Sequence, residues 1–76
     1  MISVSIRLSS IQDVRNFVDT VTKYYDIEID LVSGRYVVDA KSIMGIFSLD
    51  LMNPITLNAH TDNAEKLLDE LKPYIV

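Results

Sequence analysis

Apolar and polar residues alternate at the start of the chain: Ile2, Val4, Ile6 and Leu8 are separated by Ser3, Ser5 and Arg7. A period of two puts each set on its own face of a strand, so 2–8 reads as a half-buried strand. Ser9 and Ser10 offer helix N-caps, and Ser9 with Gln12 has capping-box spacing. Ile11, Val14, Phe17, Val18, Val21 and Tyr25 then recur at helical spacing, predicting an amphipathic helix over 10–25. The period returns to two at Ile27, Ile29 and Leu31, interleaved with Asp26, Glu28 and Asp30. Ser33-Gly34 is the predicted hairpin turn between strands 26–33 and 35–40, with Tyr36, Val38 and Ala40 on one face of the second.

A short apolar helix is predicted over 42–51, broken by Asn53-Pro54. Ile55, Leu57 and Ala59 mark a fourth strand over 55–60, with Thr56, Asn58 and His60 on its other face. Thr61 or Asp62 is the predicted cap of a last helix over 62–72, which buries Ala64, Leu67, Leu68 and Leu71 and ends at Pro73. The order is β-α-β-β-α-β-α. Three of the strands have a clearly polar face, so helices are expected on one side only of an open-faced α+β sandwich. Ile6, Val14, Val18, Ile29, Val38, Ile46, Leu57 and Leu68 are the expected core. Periodicity leaves the strand order open, with a ferredoxin-like arrangement the natural competitor.

The length, 76 residues, allows one domain spanning 1–76. A chain this short buries only about 60% of its unfolded surface, so the core is thin. Cysteine is absent, so packing must stabilise the fold without disulfides or thiolate metal sites. No apolar run approaches the ~20 residues of a membrane span, and the alternating N-terminus is unlike a signal peptide. A cytoplasmic location is expected. The net charge of −4, without a basic cluster, argues against nucleic acid and anionic membranes as partners.

Candidate chemistry is sparse. His60 is the only histidine and reads as a solvent-facing strand residue, since spacing brings no acid or nucleophile to it. Asp26, Glu28 and Asp30 share a strand face, but carboxylates on a flat strand point into water rather than closing a cation cage. With only Gly34 and Gly45, the chain has no glycine-rich phosphate loop, and it has no G-x-S-x-G nucleophile elbow. No enzyme, cofactor or metal is expected.

The segment Lys41-Ser42-Ile43-Met44-Gly45-Ile46-Phe47-Ser48-Leu49 is unusual, with five large apolar residues in nine. Ile43, Met44 and Phe47 share one helical face; Ile46 and Leu49 fall on another. A helix on one side of a sheet cannot bury both, and an exposed apolar patch is a mark of protein interfaces. Ser42 is placed to cap this helix. A phosphate there would meet free N–H groups, with Lys41 beside it.

At this segment the chain resembles the HPr family, the phosphocarrier proteins of bacterial sugar uptake. Lys41-Ser42-Ile43-Met44-Gly45 and Ser48-Leu49 look like that family's regulatory-serine motif, and Gly34 falls in its hairpin. The resemblance implies the HPr fold, an antiparallel sheet of order 1-4-2-3 with three helices on one face. It implies that Ser42 matches the serine phosphorylated by the HPr serine kinase. It implies too that Ile43, Met44 and Phe47 match the patch that docks enzyme I, sugar-specific partners and a catabolite regulator, with Ile46 and Leu49 in the core. The Gly-x-His-x-Arg-Pro signature of the family is absent. Counted back from Ser42, its histidine position holds Ile11, its arginine position Asp13 and its proline position Val14. Isoleucine cannot accept a phosphoryl group. The expected function is therefore a non-catalytic regulatory module that binds protein through the Ser42 helix. The alternatives are an HPr-fold binding domain outside the phosphotransferase system, and a phosphocarrier using another residue.

Overall fold

A computed structural model describes residues 1–76. The elements run β1 (Ile2–Ile6), α1 (Ile11–Val21), β2 (Glu28–Ser33), β3 (Tyr36–Asp39), α2 (Ile43–Phe47), β4 (Ile55–His60) and α3 (Glu65–Glu70), followed by a 3-10 turn at Lys72–Tyr74. The four strands form one antiparallel sheet of order β1-β4-β2-β3. Register explains the alternation in the sequence. Val4, Leu57, Leu31 and Val38 lie side by side across the sheet, and Ser3, Asn58, Asp30 and Asp39 form a row on the opposite face. Ile6, Ile29, Leu31, Ile55, Leu57 and Ala59 are buried from the sheet, against Val14, Phe17 and Val21 of α1, Ile46 of α2 and Leu67 of α3. No polar residue is buried.

The helices are shorter than periodicity predicts, and in each case local hydrogen bonds intervene. The first ends at Val21 rather than 25. Lys23 and Tyr24 donate three residues back, to Thr20 and Val21, and the chain turns so that Ile27 N–H reaches the Tyr24 carbonyl. Tyr25 therefore points into solvent. The second stops at Phe47, where the Ser48 hydroxyl donates to the Gly45 carbonyl at 2.6 Å. Asp50 then accepts from Met52 N–H and the Asn53 side chain, a turn that forestalls the Asn53-Pro54 break. The third starts at Glu65, behind Ala64, and neither Thr61 nor Asp62 caps it; Asn63 Oδ1 accepts the Glu65 N–H instead. Pro73 falls inside the 3-10 turn rather than terminating α3.

Val18, Val38 and Leu68, expected in the core, are only partly buried and pack at its margin. Tyr36 is 69% exposed because β3 is the last strand of the sheet and its end overhangs the helices. The hairpin loop is Gly34-Arg35, one residue later than Ser33-Gly34, since Ser33 pairs with Tyr36. Gly34 takes φ +59°, the glycine-first turn geometry that suits a two-residue hairpin. The C-terminus covers the other sheet edge. Ile75 bridges to Ile6, Arg7 N–H donates to the Tyr74 carbonyl, and Val76 N–H to that of Ser5.

An exposed polar cluster fastens the turn after α1 to α3. The Tyr24 hydroxyl donates to Glu70 Oε2 at 2.6 Å and Lys23 Nζ to Oε1 at 3.0 Å. The bond from Tyr24, then that from Lys23, holds the Glu70 carboxyl below its ordinary range. Accepting that bond, Glu70 pushes the Tyr24 phenol up to about 12. A carboxyl depressed on folding stabilises above its unfolded pKa, and the contribution is lost as pH falls through the folded value. The Tyr24 contribution is present below the ordinary phenol value of 10.0 and lost as pH rises towards 12. Carboxyl NMR titration is expected to show Glu70 ionising below the ordinary glutamate range, and Tyr24→Phe to move it back up. An unchanged Glu70 titration in that variant would remove the bond from the account.

Candidate functional site

Two segments are candidates, the start of α1 and the whole of α2, and the two helices pack against each other. At α1 the capping residue is Ser10, not Ser9. Its hydroxyl accepts the Asp13 N–H at 3.1 Å, and Asp13 Oδ2 accepts the Ser9 N–H at 3.1 Å. The reciprocal pair is thus closed by Asp13, while Gln12 turns along the helix to Asn16. Ile11 is the first residue of α1 and is 69% exposed. The site where a phosphate would sit is filled by the helix's own caps and carries a carboxylate, which repels an anion.

At α2 Ser42 caps the helix as the sequence predicts, although the helix spans only Ile43–Phe47. Ser42 takes an extended conformation, with φ −101° and ψ 103°, and its hydroxyl accepts the Gly45 N–H at 3.2 Å. Ile46 N–H reaches the Ser42 carbonyl at 3.0 Å. Ser42 itself is exposed. Ile46 and Leu49 are buried and pin the helix to the sheet. Ile43 is half-buried, Met44 is 77% exposed and Phe47 is 43% exposed. Gly45 allows this close seating: a Cβ there would lie 3.2 Å from the Val38 Cβ and 3.2 Å from the Ser42 hydroxyl.

Two positions differ from the sequence reading. Lys41 does not stand beside the Ser42 hydroxyl. Its ammonium donates to the carbonyls of Tyr24 and Ile27, at 2.9 and 2.7 Å, and so ties the α1–β2 turn to the entry of α2. A free amine five or more bonds from its backbone gives no sequence signal of which carbonyls it will meet. His60 does have an acid near it: Nε2 lies 2.8 Å from Asp30 Oδ2 across the β2–β4 pair. That contact depends on strand register, which the spacing of residues cannot supply. It lies on the open face of the sheet, whereas α1 and α2 cover the other. Asp30 is therefore committed to His60, and the run Asp26, Glu28, Asp30 forms no joint site.

The sequence profile of the family described as "PTS HPr component phosphorylation site" matches residues 13–76. The chain belongs to the HPr family of the phosphotransferase system. An HPr-C-His structure from Thermoanaerobacter tengcongensis superposes with a TM-score of 0.79 at 30% identity, covering 96% of this chain and 89% of that one. The phosphocarrier protein HPr from Bacillus anthracis superposes with a TM-score of 0.72 at 25% identity, covering 99% and 96% of the two chains. No curated protein matches the sequence. The HPr fold accounts for the strand order, the three helices and the position of Ser42 at the start of α2. The family match begins at Asp13, two residues beyond Ile11. No helix of this HPr-family chain is long and apolar enough to cross a membrane.

Proposed function

We propose that this HPr-family protein is a regulatory protein-binding module that carries no phosphoryl group at the start of α1 and meets its partner through the Ser42 helix. The observation that carries this reading is the exposure of Met44 and Phe47 on a helix held down by Ile46 and Leu49. Because the helix is already held in place, binding need order only the side chains and not the backbone, and methionine adapts to its contact. Ile43 completes the patch at its half-buried side. Ile11 supports the first half of the reading, because an alkyl side chain occupies the histidine position and Asp13 the arginine position. The partner is a protein of the phosphotransferase system or its regulation: the HPr serine kinase, enzyme I or a catabolite regulator. The setting is the bacterial cytoplasm. No residue acts as a catalyst in this reading, and neither nucleic acid nor membrane is a partner.

Ser42 is the proposed regulatory phosphorylation site. The residue is exposed, and a phosphoserine would place close to two negative charges on the rim of the patch. Lys41 is engaged elsewhere, so the charge would stay available to a partner's cations. Binding to immobilised enzyme I, to the kinase and to the regulator tests the reading directly. Phe47→Ala is expected to weaken the productive interaction by roughly tenfold while stability changes little. Ser42→Ala is expected to abolish labelling by the kinase and to lower stability by about 1 kcal/mol through loss of the cap. Full labelling of Ser42→Ala, or binding indifferent to both Met44→Ala and Phe47→Ala, would refute the proposal.

A further inference from the structure

β3 ends the sheet, and nothing pairs with its outer edge. The opposite edge, β1, is covered by the C-terminal residues. Ala40 N–H donates to the Ile29 carbonyl at 2.9 Å. In an antiparallel pair the bonded positions alternate, so Ala40, Val38 and Tyr36 turn their main-chain groups towards β2. Val37 and Asp39 turn theirs outward. The Asp39 carbonyl is taken by the Ser42 N–H, leaving its amide and both groups of Val37 free for another strand. The edge carries neither a proline nor a bulge to blunt it. Beside it stand Val37, 62% exposed, and the exposed Tyr36.

We infer that this edge pairs with the same edge of a second copy of the chain, giving a two-fold symmetric dimer with a continuous eight-stranded sheet. The side chains choose both the occupant and the register. With the axis at Val37, the turn residue Arg35 just before β3 in each copy comes beside Asp39 of the other, and Val37 meets Val37. On the helix-covered face Tyr36 meets Val38, an aromatic and β-branched pair, twice over. Neither Arg35 nor Asp39 has an ion-pair partner within the chain. Shifting the axis to Val38 sets Arg35 opposite Lys41, and shifting it to Tyr36 sets Arg35 opposite Val37. Of these three registers the Val37-centred one alone pairs opposite charges, and symmetry counts every gain twice. It also aligns the outward N–H and carbonyl of the two Val37 residues. Because α2 packs on β3, the two Ser42 helices lie in the same layer on either side of the axis. The inference is independent of what α2 binds.

Sedimentation equilibrium of the full chain, from micromolar to millimolar concentration at low salt, tests it. The mass is expected to rise from monomer towards dimer. Arg35→Glu places like charges opposite each other at both ends and is expected to weaken association by at least about tenfold. Asp39→Lys does the same. An equimolar mixture of Arg35→Glu and Asp39→Lys restores two attractive pairs and is expected to dimerise where neither variant does alone. Asp39 Oδ1 also accepts the Lys41 N–H, so amide NMR spectra establish that Asp39→Lys is folded; Arg35→Glu decides the question without it. A chain that stays monomeric throughout the range, a dimer unaffected by Arg35→Glu, or a mixture of folded variants that fails to associate would each overturn the inference.

Discussion

Phe17→Ala is expected to lower stability by about 3–5 kcal/mol, measured by urea unfolding. Phe17 projects from the middle of α1, is fully buried and is the largest side chain in the core. Its ring meets Tyr74 edge-on, with centroids 5.9 Å apart and planes at 87°. Truncation opens a cavity at the junction of α1 with the 3-10 turn, which the C-terminal residues then leave unsupported. A domain of this size has roughly 4–11 kcal/mol to lose, so the substitution removes much of it. The effect should appear at Tyr74 as well. Burial raises the Tyr74 phenol, with a smaller contribution from the Asp13 carboxylate. In a folded Phe17→Ala protein the Tyr74 hydroxyl is expected to titrate closer to an ordinary phenol. A loss below about 1 kcal/mol, with Tyr74 unchanged, would mean that the α1 face packs differently.

Lys41→Met is expected to cost about 2 kcal/mol, through the loss of two charge-assisted hydrogen bonds and the exposure of nothing to replace them. The methionine keeps the aliphatic stem, which isolates the ammonium's part. The Tyr24 and Ile27 carbonyls would lose their donor at a partly buried point. Those carbonyls belong to the turn that ends α1 early, so faster amide exchange is expected over 22–27 with little change in β4. Exchange that rises uniformly, or stability equal to the parent's, would show that the ammonium does not hold the turn.

What was readable in the sequence follows from which forces are local. Alternation in 2–8 and 55–60 gave the strands, because each has one face on the core and one in water. Spacing split Ile43, Met44 and Phe47 from Ile46 and Leu49, and the family resemblance assigned the second pair to the core; Ile43 nevertheless packs half-buried at its margin. Ser42 was legible as a cap because the hydroxyl acts on amides three residues ahead; at α1 both Ser9 and Ser10 were candidates, and the box spacing pointed to Ser9 where Ser10 takes the role. The helix ends were not legible. They are set by Ser48, Asp50 and Asn63, whose side chains compete with the helix for backbone groups, and by Lys41, which reaches across from another part of the chain. Periodicity sees none of these. Strand order and the Asp30–His60 contact were out of reach for a related reason: both depend on which strand lies beside which. The family resemblance supplied the order that periodicity left open, and its gap at Ile11 supplied the functional question.

That question is whether this member of the HPr family accepts a phosphoryl group from enzyme I. Incubating the protein with enzyme I and phosphoenolpyruvate, then weighing it intact under neutral conditions, asks it most directly. A histidine-bearing HPr in the same reaction serves as the positive control. The account predicts that the control gains a phosphoryl group and this chain does not. A stoichiometric, acid-labile phosphoryl group on this chain, on His60 or on any other residue, would contradict it.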